Sequence, residues 1–179
     1  MAGPAGAISL EGSDRVKLAL EKLVSEVGNS SIKSVGLTDR TRNDGETNEG
    51  ILIEQRDKFH RDICTANQED ADKAAEAFAA LLEVEIQRAM EAGATGRTAD
   101  SLMAMGLRNA MISYCEAVSG RIDKQINSDG SALTELSKSY AVQKMKAVGF
   151  IKPILVRTGQ LRDALNPTEA AKNLKYSRS

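Results

Sequence analysis

Apolar residues recur at helical spacing in several stretches of the chain, and turn signals separate them. Val16, Leu20, Leu23, Val24 and Val27 fall at i, i+4, i+7, i+8 and i+11, one stripe of a helix over 14–27 that Ser13 or Asp14 caps and Gly28-Asn29 stops. Ala74, Phe78, Leu81, Leu82, Ile86 and Ala89 define a long helix over 68–92. Asn67 is its N-cap candidate, and Glu69, Asp70 and Asp72 sit in the first turn, where negative charge opposes the helix dipole favourably. Gly93 and Gly96 break that pattern. A second long helix spans 98–127, capped by Thr98 and striped by Leu102, Met105, Ile112, Cys115, Val118, Ile122 and Ile126. The short link 92–97 predicts that the two lie as an antiparallel pair. Ser128 to Ser131 reads as a turn. A third helix starts at Thr134 or Ser137, runs to Val148 and ends at Gly149.

The strand candidates are short. Ile8 to Leu10, Ile32 to Leu37 and Ile51 to Gln55 are apolar, and the polar run 38–50 between the last two contains Asn43-Asp44-Gly45. This spacing predicts a β-hairpin with a long exposed tip. After Gly149, Pro153 predicts an extended segment through Ile154, Leu155 and Val156. Thr158 then caps a short helical segment, Gly159 relieves crowding at the bend, and Leu161 and Leu165 point one way with Arg157 and Arg162 outside. Asn166-Pro167 stops it, and 168–175 reads as a short terminal helix. The expected fold is α+β, with two long antiparallel helices plus a third helix packed on a small antiparallel β-sheet. Its 179 residues are organised as one domain over 1–165 and a basic tail over 166–179.

Composition narrows this picture. There is no Trp, and there are three Phe and three Tyr, so the core is built from Leu, Ile, Val, Met and Ala, a mixture suited to helix packing. The net charge of −1 hides an asymmetry: residues 1–90 carry −6 and residues 91–179 carry +5. Acidic and basic halves suit head-to-tail packing of copies, or a basic face near DNA. Cys64 and Cys115 lack the spacing of a redox or zinc motif and read as reduced thiols of a cytosolic product. No secretory leader, no membrane-spanning apolar run and no myristoylation signal is legible.

Little in the sequence points to catalysis. The one histidine, His60, stands four residues before Cys64, which would place both on one helix face as a dyad. The acidic stretch around Asp39, Asp44, Glu46 and Glu49 lacks the oxygen spacing of a calcium loop. Neither Thr95-Gly96-Arg97-Thr98 nor Thr158-Gly159-Gln160-Leu161 is a phosphate loop. The expectation is a non-enzyme without cofactor or metal.

One string carries more information than the rest: L136-S-K-S-Y-A-V-Q-K144 and then G149-F-I-K-P-I-L-V-R-T-G-Q-L-R-D-A-L165. Its pattern, L-S…K…G…P-x-L…TG-x-LR-x-A, resembles the tail-completion (virion morphogenesis) proteins of tailed bacteriophages. The likeness covers residues 98–165 and extends loosely to 32–60. Phe59-His60-Arg61 stands where those proteins have a proline-rich entry to the first long helix. They continue past the TG motif into another strand, whereas here a basic, Ala-rich tail comes next.

The resemblance implies a virion protein, assembled in the host cytoplasm, that forms a ring of six copies at the head–tail junction. Its implied partners are further copies of itself, the tail tube and the head connector, with nonspecific DNA contact in the lumen compatible and no membrane involved. The candidate interface is Arg157, Thr158, Gly159, Leu161, Arg162 and Leu165, with Lys172 and Lys175 on a tail reaching a neighbour. The loop 38–50 and that tail are expected to be ordered by neighbours. The rival expectation is a cytosolic helical regulator or DNA-binding accessory protein, for which Lys138, Lys144, Lys146, Lys152, Arg157 and Arg162 would contact phosphates.

Overall fold

A computed structural model describes residues 17–18, 21–22, 25, 27–37, 45, 47–92, 97–155 and 160–178. Within the expected first helix, residues 17, 18, 21, 22, 25, 27 and 28 are helical. Strand β1 (Ile32–Leu37) comes next, then helices α1 (Asn48–Phe59), α2 (Gln68–Ala92), α3 (Ala99–Lys124), α4 (Lys138–Val148), α5 (Gln160–Ala164) and α6 (Pro167–Ala170), and finally strand β2 (Leu174–Arg178). The fold is α+β: among the described residues it has six helices and one antiparallel sheet of two strands. The strand expected at 8–10 and residues 38–44 and 46 of the expected hairpin tip lie outside the described residues.

The long helices form where the apolar period places them. Asn67 and Asp70 cap α2 reciprocally: the Asn67 side chain accepts from the Asp70 amide at 3.0 Å, and the Asp70 carboxylate accepts from the Asn67 amide at 3.0 Å. Thr98 Oγ1 accepts from the Ser101 amide at 3.2 Å at the start of α3. The pairing is antiparallel: Asp70, near the start of α2, bonds Arg121, near the end of α3, and Phe78, further along α2, lies against Gly106, earlier in α3.

Two expectations about strands are corrected. Ile51 to Gln55 is not a strand but the middle of α1. The Thr47 hydroxyl accepts from the Gly50 amide at 3.0 Å, Glu49 occupies the first turn, and Glu54 and Lys58 pair at 2.9 Å with i, i+4 spacing. These local helix signals outweigh three consecutive apolar residues that have no period-two alternation. β1 instead pairs with β2, so the C-terminal segment completes the sheet within its own chain. Residues 168–175 are therefore not a terminal helix: one turn ends at Ala170, with Asn166 accepting from the Thr168 amide at 2.9 Å and Pro167 at its first position. The stretch Ile154-Leu155 is a turn rather than an extended segment.

The chain divides into two compact units, each assembled from discontinuous segments. By contact, 166–175 group with one unit and 176–178 with the other, and Ala170 is fully buried.

The unit made of residues up to 35, 75–110 and 176–179 buries Ile32, Leu81 and Leu102. Asp100, in the first turn of α3, accepts from Ser30 Oγ at 2.9 Å, the Ser31 amide at 2.7 Å and Ser31 Oγ at 2.8 Å. Hydrogen bonds from Ser31 and Ser30 hold its carboxyl below the usual carboxylate range. Arg178, at the end of β2, lies 3.6 Å from the same carboxylate, and the Tyr176 hydroxyl donates to the Ala104 carbonyl at 3.2 Å. Both strands are thus tied to α3. Glu85 is fully buried; one carboxylate oxygen accepts from Arg88 at 2.7 Å and Arg97 at 2.9 Å, and the other has no hydrogen-bond partner among the described residues.

Gly106 is buried where the Phe78 ring crosses α3, and a methyl group there would collide with three ring carbons. Gly106→Ala is expected to lower stability by about 1–3 kcal/mol despite the better helix propensity of Ala. Adding Phe78→Leu should recover part of that loss, a coupling that thermal or urea unfolding of the double-mutant cycle would detect. Additive effects would refute the close approach.

The unit made of residues 36–74 and 111–175 holds the larger core: Ile63, Val118, Ile122, Leu133, Ile154, Leu161 and Leu165, flanked by Leu52, Tyr114, Leu136 and Phe150. Arg121 is buried beside it. It donates to the Ile63 carbonyl at 2.8 Å and forms an ion pair with Asp70.

Candidate functional site

The string that carries the family likeness folds within one of these units. Ser137 caps α4, its hydroxyl accepting from the Tyr140 amide at 3.3 Å. Gly149 ends α4 in the left-handed region (φ 80°), its amide donating to the Met145 carbonyl at 2.9 Å. Only glycine adopts this conformation without strain, which makes this position a helix stop legible in the sequence.

Lys144 organises the segment beyond this stop. Its side chain is 2% exposed, and its ammonium donates to the carbonyls of Ile151 at 2.7 Å, Ile154 at 3.1 Å and Pro153. The Phe150 ring centroid lies 5.2 Å from Nζ, a cation–π contact. Burial pushes the Lys144 ammonium down to about 8. Gln125, itself left-handed (φ 58°), accepts from the Ile154 amide at 2.6 Å. The loop 150–155 is therefore held by a buried cation on one helix and a side-chain amide just past the end of another, and Ile154 enters the core.

The candidate interface residues separate into three groups. Arg157, Thr158 and Gly159 lie outside the described residues. Leu161, on α5, and Leu165, just past its end, are buried in the protein's own core beside Ile154 and Val118, where their apolar area is covered by the chain itself. Arg162, Lys172 and Lys175 are exposed. Arg162 pairs with Asp123 at 3.0 Å and Lys172 with Glu169 at 2.7 Å, surface pairs worth about 0–1 kcal/mol each. Lys175 lies on β2, which pairs with β1 of the same chain.

The residues weighed for chemistry do not assemble into a nucleophile. His60 is exposed and forms the left-handed end of α1 (φ 52°), and Cys64 lies in the irregular segment beyond it, so the two share no helix face. Burial pushes the Cys64 and Cys115 thiols up to about 11, the reverse of what an attacking thiolate needs. The Tyr114 hydroxyl donates to the Cys64 carbonyl. Among the described residues no group of three His, Cys, Asp or Glu is placed to hold a metal ion, and no helix is long and apolar enough to cross a membrane.

Sequence reasoning missed the buried charges. Arg121 falls three residues after Val118 and Glu85 four after Leu81, both on the apolar line of their helices. A charged residue on that line was the available signal. No family model, curated protein or solved structure matches this chain. A functional reading of the 136–165 unit therefore rests on its own residues and on the motif they resemble.

Proposed function

We propose that this chain is a structural virion protein of a tailed bacteriophage, a ring subunit at the head–tail junction that completes the tail or joins it to the head connector. The observation that supports the reading most directly is the role of Lys144. The lysine, glycine and proline of the resembling string stand in one physical relation: Lys144 holds the carbonyls around Pro153, Gly149 turns the chain between them, and Leu161 and Leu165 close the core beneath. A sequence pattern whose members act on one another in this way specifies a corner of the fold, which is how a structural signature differs from a catalytic one. Completion of the sheet by β2 agrees with the further strand that such proteins carry after the TG motif.

In this reading a ring of six copies ends polymerisation of the tail tube by offering the tube one face and the connector another. Purified protein, viewed by negative-stain imaging and weighed by native mass spectrometry, is expected to form closed rings, and the polypeptide is expected in purified virus particles. A protein that stays monomeric at high concentration and is missing from particles overturns the proposal; a monomer that retards duplex DNA turns it toward a DNA-binding accessory protein.

A further inference from the structure

Helix α4 is inside out. Its one fully buried side chain is Lys144, while Val142 and Met145 are 54% and 45% exposed. Lys138, Val142 and Met145 stand at i, i+4 and i+7, one stripe on the helix surface, and Lys146 comes four residues after Val142. The helix contains no acidic residue. A second exposed stripe has the opposite sign. On α2, Glu76, Ala80 and Val84 stand at i, i+4 and i+8, with Glu83 beside them, and Val84 is 47% exposed. Among the described residues, none of Glu76, Glu83, Lys138 and Lys146 has an ion-pair partner.

We infer that the Lys138, Val142, Met145 and Lys146 face of one copy docks on the Glu76, Ala80, Glu83 and Val84 face of a second copy. On α4 two lysines flank Val142 and Met145; on α2 Glu76 and Glu83 flank Ala80, Val84 follows, and Arg88, one turn further on, is paired with Glu85 of its own helix. A two-fold contact of either stripe with itself would bring four like charges together, which disfavours it. The pairing that covers the apolar residues and matches the flanking charges joins two different patches. Such a contact is heterologous and propagates from copy to copy, closing into a ring when the rotation permits. The inference rests on the ring reading for that closure alone.

The test uses the full chain and two double variants, Lys138→Glu with Lys146→Glu, and Glu76→Lys with Glu83→Lys. All four positions are exposed. Each variant is expected to weaken self-association, measured by sedimentation velocity, by at least about tenfold, because it places like charges across the contact. Mixed in equal amounts, the two should assemble again, since the acidic α4 face of the first matches the basic α2 face of the second. Restoration also certifies that both are folded. Undiminished assembly of either variant, or a mixture of folded variants that stays dissociated, overturns the contact. Closed rings that persist in both variants remove this contact and leave the ring reading standing. Open chains that both variants abolish keep the contact and remove the ring. A monomeric wild type removes both.

Discussion

Replacing Arg121 with Met is expected to lower the unfolding free energy by about 3–5 kcal/mol, read from urea denaturation at neutral pH. The guanidinium and the Asp70 carboxylate are both nearly excluded from solvent, at 7% and 5% side-chain exposure, and they form the ion pair that joins the late part of α3 to the first turn of α2. Arg121 also donates to the Ile63 carbonyl at 2.8 Å and lies 3.4 Å from that of Thr65. Methionine keeps the bulk of the stem but leaves a buried carboxylate without its counter-ion and two carbonyls without their donor. Burial alone would raise the Asp70 carboxyl; hydrogen bonds from Arg121 and the Asn67 amide outweigh it and hold the group below the usual carboxylate range.

That balance sets the sign of the pH dependence. In the wild type, Asp70 contributes stability that is fully present above its unfolded value of 3.8 and is lost as pH falls through the lower folded value. Without Arg121 the folded value rises above the unfolded one, so the variant gains relative stability on acidification. The gap between wild type and Arg121→Met should therefore narrow below about pH 4. A further Asp70→Leu change should recover part of the loss. An Arg121→Met protein as stable as wild type would mean that the pair is exposed in solution.

Lys144→Met is expected to lower stability by about 2–4 kcal/mol and to loosen the loop 150–155. The ammonium donates to the carbonyls of Ile151 and Pro153, and a thioether donates to neither. The loss should be local before it is global. Amide exchange is expected to accelerate at Ile154, whose N–H bonds Gln125, while the capping amides of α2 stay protected.

The pH profile is a second readout. Burial places the folded Lys144 ammonium at about 8 against 10.5 unfolded, so the unfolded state holds the extra proton between those values. The associated stability is fully present above 10.5 and is lost as pH falls through about 8. The advantage of wild type over Lys144→Met should therefore widen as pH is raised through that window. A gap that narrows instead would mean that the three carbonyls hold the proton more strongly than burial expels it. If the proposed ring function holds, this variant should also assemble poorly, whereas Arg162→Glu, which breaks an exposed pair with Asp123, should leave the loop intact.

Helices α2, α3 and α4 were legible because their signals are local. Asn67 and Thr98 cap where hydrogen-bonding side chains precede an apolar period, Gly149 stops α4 at a positive φ, and the stripe from Leu102 to Ile122 faces the interior as its spacing requires. The candidate site was legible in part. The string 136–165 stood out, and its Lys, Gly and Pro positions proved to act together. Leu161 and Leu165, read from the sequence as interface residues, lie in the chain's own core, since spacing shows that two residues share a face but not whether that face meets the core or a partner.

By itself, then, the sequence determined an α+β chain with a long antiparallel helix pair, its caps and its stops, because propensity, capping and apolar period act over a few residues. Tertiary structure alone decided that β1 pairs with β2, some 140 residues away, rather than with Ile51 to Gln55. It alone placed Arg121 against Asp70, Lys144 under the Pro153 loop and Asp100 over Ser30 and Ser31. Each of those choices matches a polar group or a strand edge with a partner beyond the reach of a single helix turn, and for Arg121, Asp100 and β1 the partner is at least about fifty residues away. Such matching is set by which surfaces meet when the helices pack, and no local pattern encodes it.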